Sequence, residues 1–141
     1  MLDVEVLYLI GNSNSTNIVK IHNNIILEKT IYNLINNECL KTLSTFEGRV
    51  EATKQIFQIY KLIPVYLNEG LILQPLYSSK NYEQIYINIC NIKKINKVND
   101  QTVITFINDK TLFVNIKVER MKRYLKRCLK IKDYQNKIKI I

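Results

Sequence analysis

The sequence predicts an α+β fold: a single domain built on a largely antiparallel β-sheet with about three helices. Three observations carry this. Short runs rich in β-branched and aromatic residues recur along the chain, bounded by Asn, Asp or Gly, as strands joined by tight turns require. Other stretches space their apolar residues at the 3.6-residue period of a helix. Finally, no Pro/Gly/Ser linker and no fixed-period repeat divides the 141 residues, a length that buries a core as one unit.

Taken from the N-terminus, "VEVLYLI" is a first strand, "GNSNST" a turn-forming loop and "NIVKIH" the partner strand. Asn23-Asn24 tolerates positive φ and closes a tight hairpin into "IILEK". In "TIYNLINNECL", Ile31, Leu34 and Ile35 fall at helical spacing, which makes a short helix. A loop follows over Leu43 to Thr45, then a second helix whose apolar face is Val50, Thr53, Phe57 and Tyr60, with Ile56 beside it. Pro64 ends it, because Ile63 ahead of a proline is driven to extended geometry. "PVYLNEGLILQPL" reads as a hairpin turning at Asn68 to Gly70. Three further strands, "IYINICNIKKIN", "QTVITFIN" and "TLFVNIKV", are joined at Asn99-Asp100 and at Asn108-Asp109. From Val118 a helix runs to about Lys132, followed by a fraying tail.

The charge is distributed unevenly. Residues 1 to 116 carry 11 bases against 10 acids, whereas residues 117 to 141 carry 10 bases against 2 acids. Almost all of the net charge of +9 therefore sits in the last 25 residues, which points to a polyanion partner bound through the C-terminal segment. A solvated basic helix with a tail is the plainer reading of the same residues.

Other classes find less support. No apolar run approaches the roughly 20 residues of a membrane span, and the first residues carry acids where a signal peptide carries bases, so a cytoplasmic protein is expected. Cys39, Cys90 and Cys128 are far apart and read as core residues; with His22 they lack the short paired spacing of a zinc site, so no metal or cofactor is expected. One histidine, no Gly-rich phosphate loop and a Glu47/Glu51 pair that the helix dipole explains leave no catalytic constellation, and no enzyme is expected.

At about 100° per residue, Val118, Met121, Leu125, Cys128 and Leu129 share one apolar arc of the last helix. Arg120, Arg123, Arg127 and Lys130 fall opposite, with Lys122 and Lys126 on the flank. Three of the four arginines thus line one stripe in a chain whose common base is lysine. Arginine offers planar, multi-donor contact to phosphates and base edges and is drawn to narrow AT-rich minor grooves. A basic amphipathic helix also suits an anionic membrane surface. Here, however, its apolar face lacks Trp and Phe and is needed by the domain ahead of it, so nucleic acid is the expected partner and a membrane is not.

Several motifs fall in an order that resembles the ComK family of competence transcription factors. That family carries a segment of the type Gly-Ser-Ser-Tyr-x-Gly-Arg, and Leu43-Ser44-Thr45-Phe46-Glu47-Gly48-Arg49 fills it here without the first glycine and with Phe for Tyr. Pro64-Val65 stands for its Pro-Ile strand, Leu73-Gln74-Pro75 with Ser78 for Phe-Pro-Thr-x-Ser, and Gln84-Ile85-Tyr86-Ile87 for Cys-x-Trp-Ile, with Cys and Trp replaced. "TVITFINDKTLFV" is similar to its Thr-x-Val-Thr-Phe-x-Asn-x-Lys-Thr hairpin, and the likeness runs from about residue 4 to residue 131. The resemblance implies a DNA-binding activator of DNA-uptake genes, acting as paired dimers on AT-rich boxes through the minor groove, under adaptor-directed proteolysis. It places a DNA-binding domain over residues 1–132 and a short basic tail over 133–141.

The segment "STFEGRVEATKQ" then has two readings. In one, Gly48 supplies a backbone conformation that the turn needs and Arg49 pairs with a carboxylate. In the other, Ser44, Thr45 and the following amides form an anion site at a helix N-terminus, with Arg49 beside it as a second DNA contact. The expected contacts are thus Arg120, Lys122, Arg123, Lys126, Arg127 and Lys130, joined by Arg49, Ser44 and Thr45. The expected protein is a nucleoid-associated homodimer on double-stranded AT-rich DNA. A basic RNA- or ribosome-associated module is the alternative.

Overall fold

The computed structural model describes residues 2–78 and 83–140, with side chains to residue 138. Its order is β1 (Val6–Gly11), β2 (Thr16–Lys20), β3 (Asn24–Leu27), α1 (Ile31–Leu40), α2 (Phe46–Phe57), β4 (Val65–Asn68), β5 (Leu71–Pro75) and β6 (Gln84–Asn88). A 3-10 turn over Ile89–Asn91 leads to β7 (Ile92–Val98), β8 (Gln101–Phe106), β9 (Thr111–Val114) and α3 (Val118–Ile140). Every strand pair is antiparallel: six strands in the order β3-β2-β1-β6-β5-β4 and three in the order β7-β8-β9. The α+β class with three helices is as the sequence predicts.

The six-stranded sheet separates two apolar layers. On one face, Leu9, Ile18, Val65, Leu71 and Leu73 meet Ile31, Leu34, Ile35 and Cys39 of α1. On the other, Leu7, Val19, Ile85 and Ile87 meet Ile104, Phe106 and Val114 of the small sheet, with Met121 and Tyr124 of α3. A register shift in β1 between Val6 and Tyr8 interrupts the period of two, so Val6 and Leu9 face α1 while Leu7 faces α3. Gly11 allows α1 to lie close. A Cβ built there would stand 2.5 Å from the Ile31 side chain.

Turn chemistry follows the sequence after β7 and β8 but not at Asn23-Asn24, where neither residue takes positive φ and Asn24 already belongs to β3. Asn99 and Asp100 both take positive φ (50° and 64°), as a two-residue hairpin loop of the primed type needs, and Asp109 does the same at 68°. Gly70 differs: its φ is not positive, and it is small because a Cβ would lie 2.6 Å from Val4 Cγ1.

Four expectations are corrected. "IYINICNIKKIN" is two strands in different sheets, β6 and β7. The break is polar: Asn88 Nδ2 donates to Val6 O (2.9 Å) and Gly70 O (3.1 Å), and Asn91 Nδ2 donates to Val4 O and Val6 O, both 2.8 Å. These buried amides satisfy backbone carbonyls where the chain leaves one sheet for the other. Second, α2 begins at Phe46 and stops at Phe57, with Gln58 left-handed (φ 55°), so Tyr60 lies beyond the helix and is exposed. Third, α3 does not fray after Lys132 but stays helical to Ile140; residue 141 lies outside the described residues. Fourth, Gly48 has no unusual backbone angle; it sits in the first turn of α2, its N–H donating to Thr45 Oγ1 at 2.9 Å.

Candidate nucleic-acid interface

The rotation of α3 decides which of its bases meet solvent. Its buried residues are Met121, Tyr124, Cys128 and Ile131, while Leu129 is 48% exposed. The centre of this face is turned by about 70° from the arc expected from sequence, at 100° per residue. Tyr124 and Ile131 replace Val118 and Leu129 because the helix meets β5 and β7 along that line.

The turn of the helix divides the expected stripe. Arg120, Lys122, Arg123, Lys126 and Lys130 are exposed. Arg127 is not: its guanidinium is folded inward, with Nη2 donating to Leu62 O (2.6 Å) and Gln74 Oε1 (3.1 Å). It also lies over the Tyr124 ring, 4.9 Å from the centroid. Burial lowers its pKa, with nearby Cys128 and Tyr124 opposing. Arg127 is therefore a strut, and the open face belongs mainly to lysine, with Lys137 added to the expected set. The exposed five make no ion pair with a described residue.

The strut holds an unusual backbone. Leu62 has φ 48°, sparsely populated for a residue with a branched side chain, and its carbonyl accepts from both Arg127 and Gln74 Nε2 (2.8 Å). Gln74 is fully buried, and Cys128 Sγ also approaches its Oε1 at 3.5 Å. Burial pushes the Cys128 thiol up to about 12, with Arg127 opposing. Cys39 is buried too, as a core cysteine should be, whereas Cys90 is only partly buried, at the edge of the cluster around Cys128.

The second expected contact is also internal. Arg49 Nε donates to Ser44 Oγ (2.7 Å), Nη1 to Tyr66 O (2.6 Å) and Nη2 to Thr42 Oγ1. Its partners are hydroxyls and carbonyls, not the carboxylate that the sequence suggests. Thr45 Oγ1 accepts from Gly48 N–H and Asn36 Oδ1 from Phe46 N–H, so two of the amides expected to meet an anion are already taken. Arg49, held by Ser44, thus ties the α1–α2 loop to β4 while Thr45 caps α2, and the structure does not bring the three to the open face of α3. Arg49 lies about 12 Å along α2 from Phe57, at 1.5 Å per residue.

The far end of α2 approaches α3. Phe57 packs edge-on against Tyr134, with centroids 5.3 Å apart. Phe57 and Ile59 then line a cleft of about 310 Å³ whose other wall is Arg123, Lys126, Arg127 and Lys130. Sequence reasoning placed Phe57 in the core and passed over Ile59; nothing in the local pattern marks either as facing bases of a helix 64 or more positions away.

An α+β sandwich that presents an unpaired basic helix is a scaffold suited to holding a polyanion. The family model of the ComK protein matches residues 4–139, nearly the whole chain, and the chain belongs to the ComK family, a family of competence transcription factors and not of enzymes. No curated protein and no solved structure matches it. Among the described residues, no helix is long and apolar enough to cross a membrane.

Proposed function

We propose that this chain is a DNA-binding regulator of competence genes that attaches to double-stranded AT-rich DNA through the open face of α3. The observation that carries the reading is the set of five exposed bases on one helix, none paired with a carboxylate among the described residues. Unpaired cations on a rigid element release counterions when they meet phosphates. Lys122, Lys126 and Lys130 suit backbone contact with Arg123 beside them, and Arg120 is the exposed arginine left to enter a narrow minor groove. Arg127 supports the interface from behind.

The remaining features follow from that reading. A homodimer, or paired dimers, gives a short recognition surface the reach of a longer site. The protein works in the cytoplasm at the nucleoid, and an adaptor-directed protease sets its level. Titrating AT-rich and GC-rich duplexes and a duplex RNA against the full chain tests the assignment, and mapping bound sites across the genome defines the regulon. Tightest binding to the AT-rich duplex is expected. Preference for RNA would replace this reading with a ribosome- or RNA-associated role.

A further inference from the structure

The cleft between α2 and α3 has two unlike walls. Arg123, Lys126, Arg127 and Lys130 stand at i, i+3, i+4 and i+7 and form a cationic wall along one line of α3. Half-buried Phe57 and the edge of buried Ile59 form the other, and among the described residues no acid lines the space. Four cations within two helical turns repel one another, and the inward guanidinium of Arg127 adds a charge that burial disfavours. An anion in the cleft relieves both.

Both walls are braced before any ligand arrives. The apolar wall is held by Phe57 against Tyr134 and, just beyond Ile59, by Arg127 and Gln74 on the Leu62 carbonyl. The cationic wall is a helix anchored by buried Met121, Tyr124, Cys128 and Ile131. At about 310 Å³ the cleft lies at the low end of the ~300–1,000 Å³ of ligand sites, room for one backbone unit and not for a docked helix. A free inorganic anion uses only the basic wall. A phosphodiester with its sugar uses both.

We propose that this cleft seats one phosphodiester unit of a bound DNA strand, with its phosphate among Arg123, Lys126 and Lys130 and its sugar against Phe57 and Ile59. The proposal rests on the DNA-binding reading above. It adds the end of α2 to the interface and makes one phosphate the register mark by which α3 meets the backbone. Arg127 acts as a positioning residue, holding the two walls at their spacing.

The test compares two double variants of equal charge in the full chain. Lys126→Gln with Lys130→Gln alters the cleft; Arg120→Gln with Lys122→Gln alters the same helix outside it. All four positions are exposed, so both variants keep the fold, which far-UV circular dichroism checks. Each is titrated against an AT-rich duplex in which a single methylphosphonate is moved along each strand. For the wild type, neutralising one position per bound chain should weaken binding by about tenfold more than neutralising its neighbours. That position should fall silent in the cleft variant and persist in the other. Losses spread evenly over the strand, or the same profile in both variants, would overturn the cleft while leaving DNA binding intact. A wild type that binds no duplex overturns the reading and the cleft together. A polyglutamate competitor that displaces the duplex at matched ionic strength, and does so only with an intact cleft, would reassign the cleft to an acidic protein segment.

Discussion

Arg127 offers the sharpest separation of a strut from a contact. Arg127→Ala removes the two short bonds from Nη2 to Leu62 O and Gln74 Oε1 and the stacking on Tyr124. Leu62 O keeps Gln74 as a donor, but Gln74 Oε1, fully buried, is left with only the weak thiol of Cys128. A hydrogen bond to a charged group contributes about 1.5–3 kcal/mol, and the half-exposed site argues for the lower end. We expect a loss of about 2–3 kcal/mol, which in a domain of this size lowers the melting temperature by roughly 6–12 °C. Arg127→Lys keeps the charge but presents one compact head where a planar fork reaches two acceptors, so it should recover less than half of the loss. Thermal melts and urea titrations of both variants supply the stability, and DNA titrations well below the melting point supply the affinity. If Arg127→Ala melted within about 1 °C of wild type and lost as much DNA affinity as Lys126→Ala, Arg127 would be a contact after all.

Four other outcomes are expected. With Arg120, Lys122 and the cleft each meeting about one phosphate, the salt slope is about −2.7 per chain, so raising salt from about 50 to about 200 mM should weaken DNA binding by at least ~40-fold, and by more for a homodimer; a nearly flat response would remove the electrostatic mode. Arg49→Ala should destabilise the fold by about 2–3 kcal/mol in urea while leaving DNA affinity at low temperature within about twofold of wild type. Gly11→Ala forces the Ile31 side chain aside and should cost about 1–3 kcal/mol in a thermal melt, since a Cβ would lie 2.5 Å from it. Burial pushes both Tyr86 and Cys128 up to about 12, above their unfolded values near 10 and 9, so the folded state holds their protons longer. Their contribution is complete below about pH 9 and is lost towards pH 12, so stability should fall steadily over that window, and less steeply in Tyr86→Phe.

Much of the architecture was legible because its causes are local. The Asn99-Asp100 turn and the spacing of Ile31, Leu34 and Ile35 each act within a few residues and stand where the local pattern put them, whereas "VEVLYLI" forms a strand only from Val6, with its alternation broken, and "TLFVNIKV" only to Val114. The crowding of bases after residue 116 is likewise a property of the sequence alone, and it marks the segment that forms α3 without any knowledge of contacts. The order of short motifs from Leu43 to Val114 was enough for the family.

What the sequence could not settle was which way each helix turns and which polar groups it keeps for itself. Angles on a helical wheel are relative; the sheet beneath α3 sets their origin, and it chose the line of Met121, Tyr124, Cys128 and Ile131. That choice sent Arg127 inward to a carbonyl 65 residues before it, a partner no local pattern encodes. Arg49 was drawn in the same way to Tyr66 O across the α1–α2 loop. The composition of the chain determined that it would carry an exposed cationic surface, because charges beyond those that find acids must stay in water. Only the packing of α3 on the sheet and against the end of α2 decided which bases form that surface and which became part of the frame.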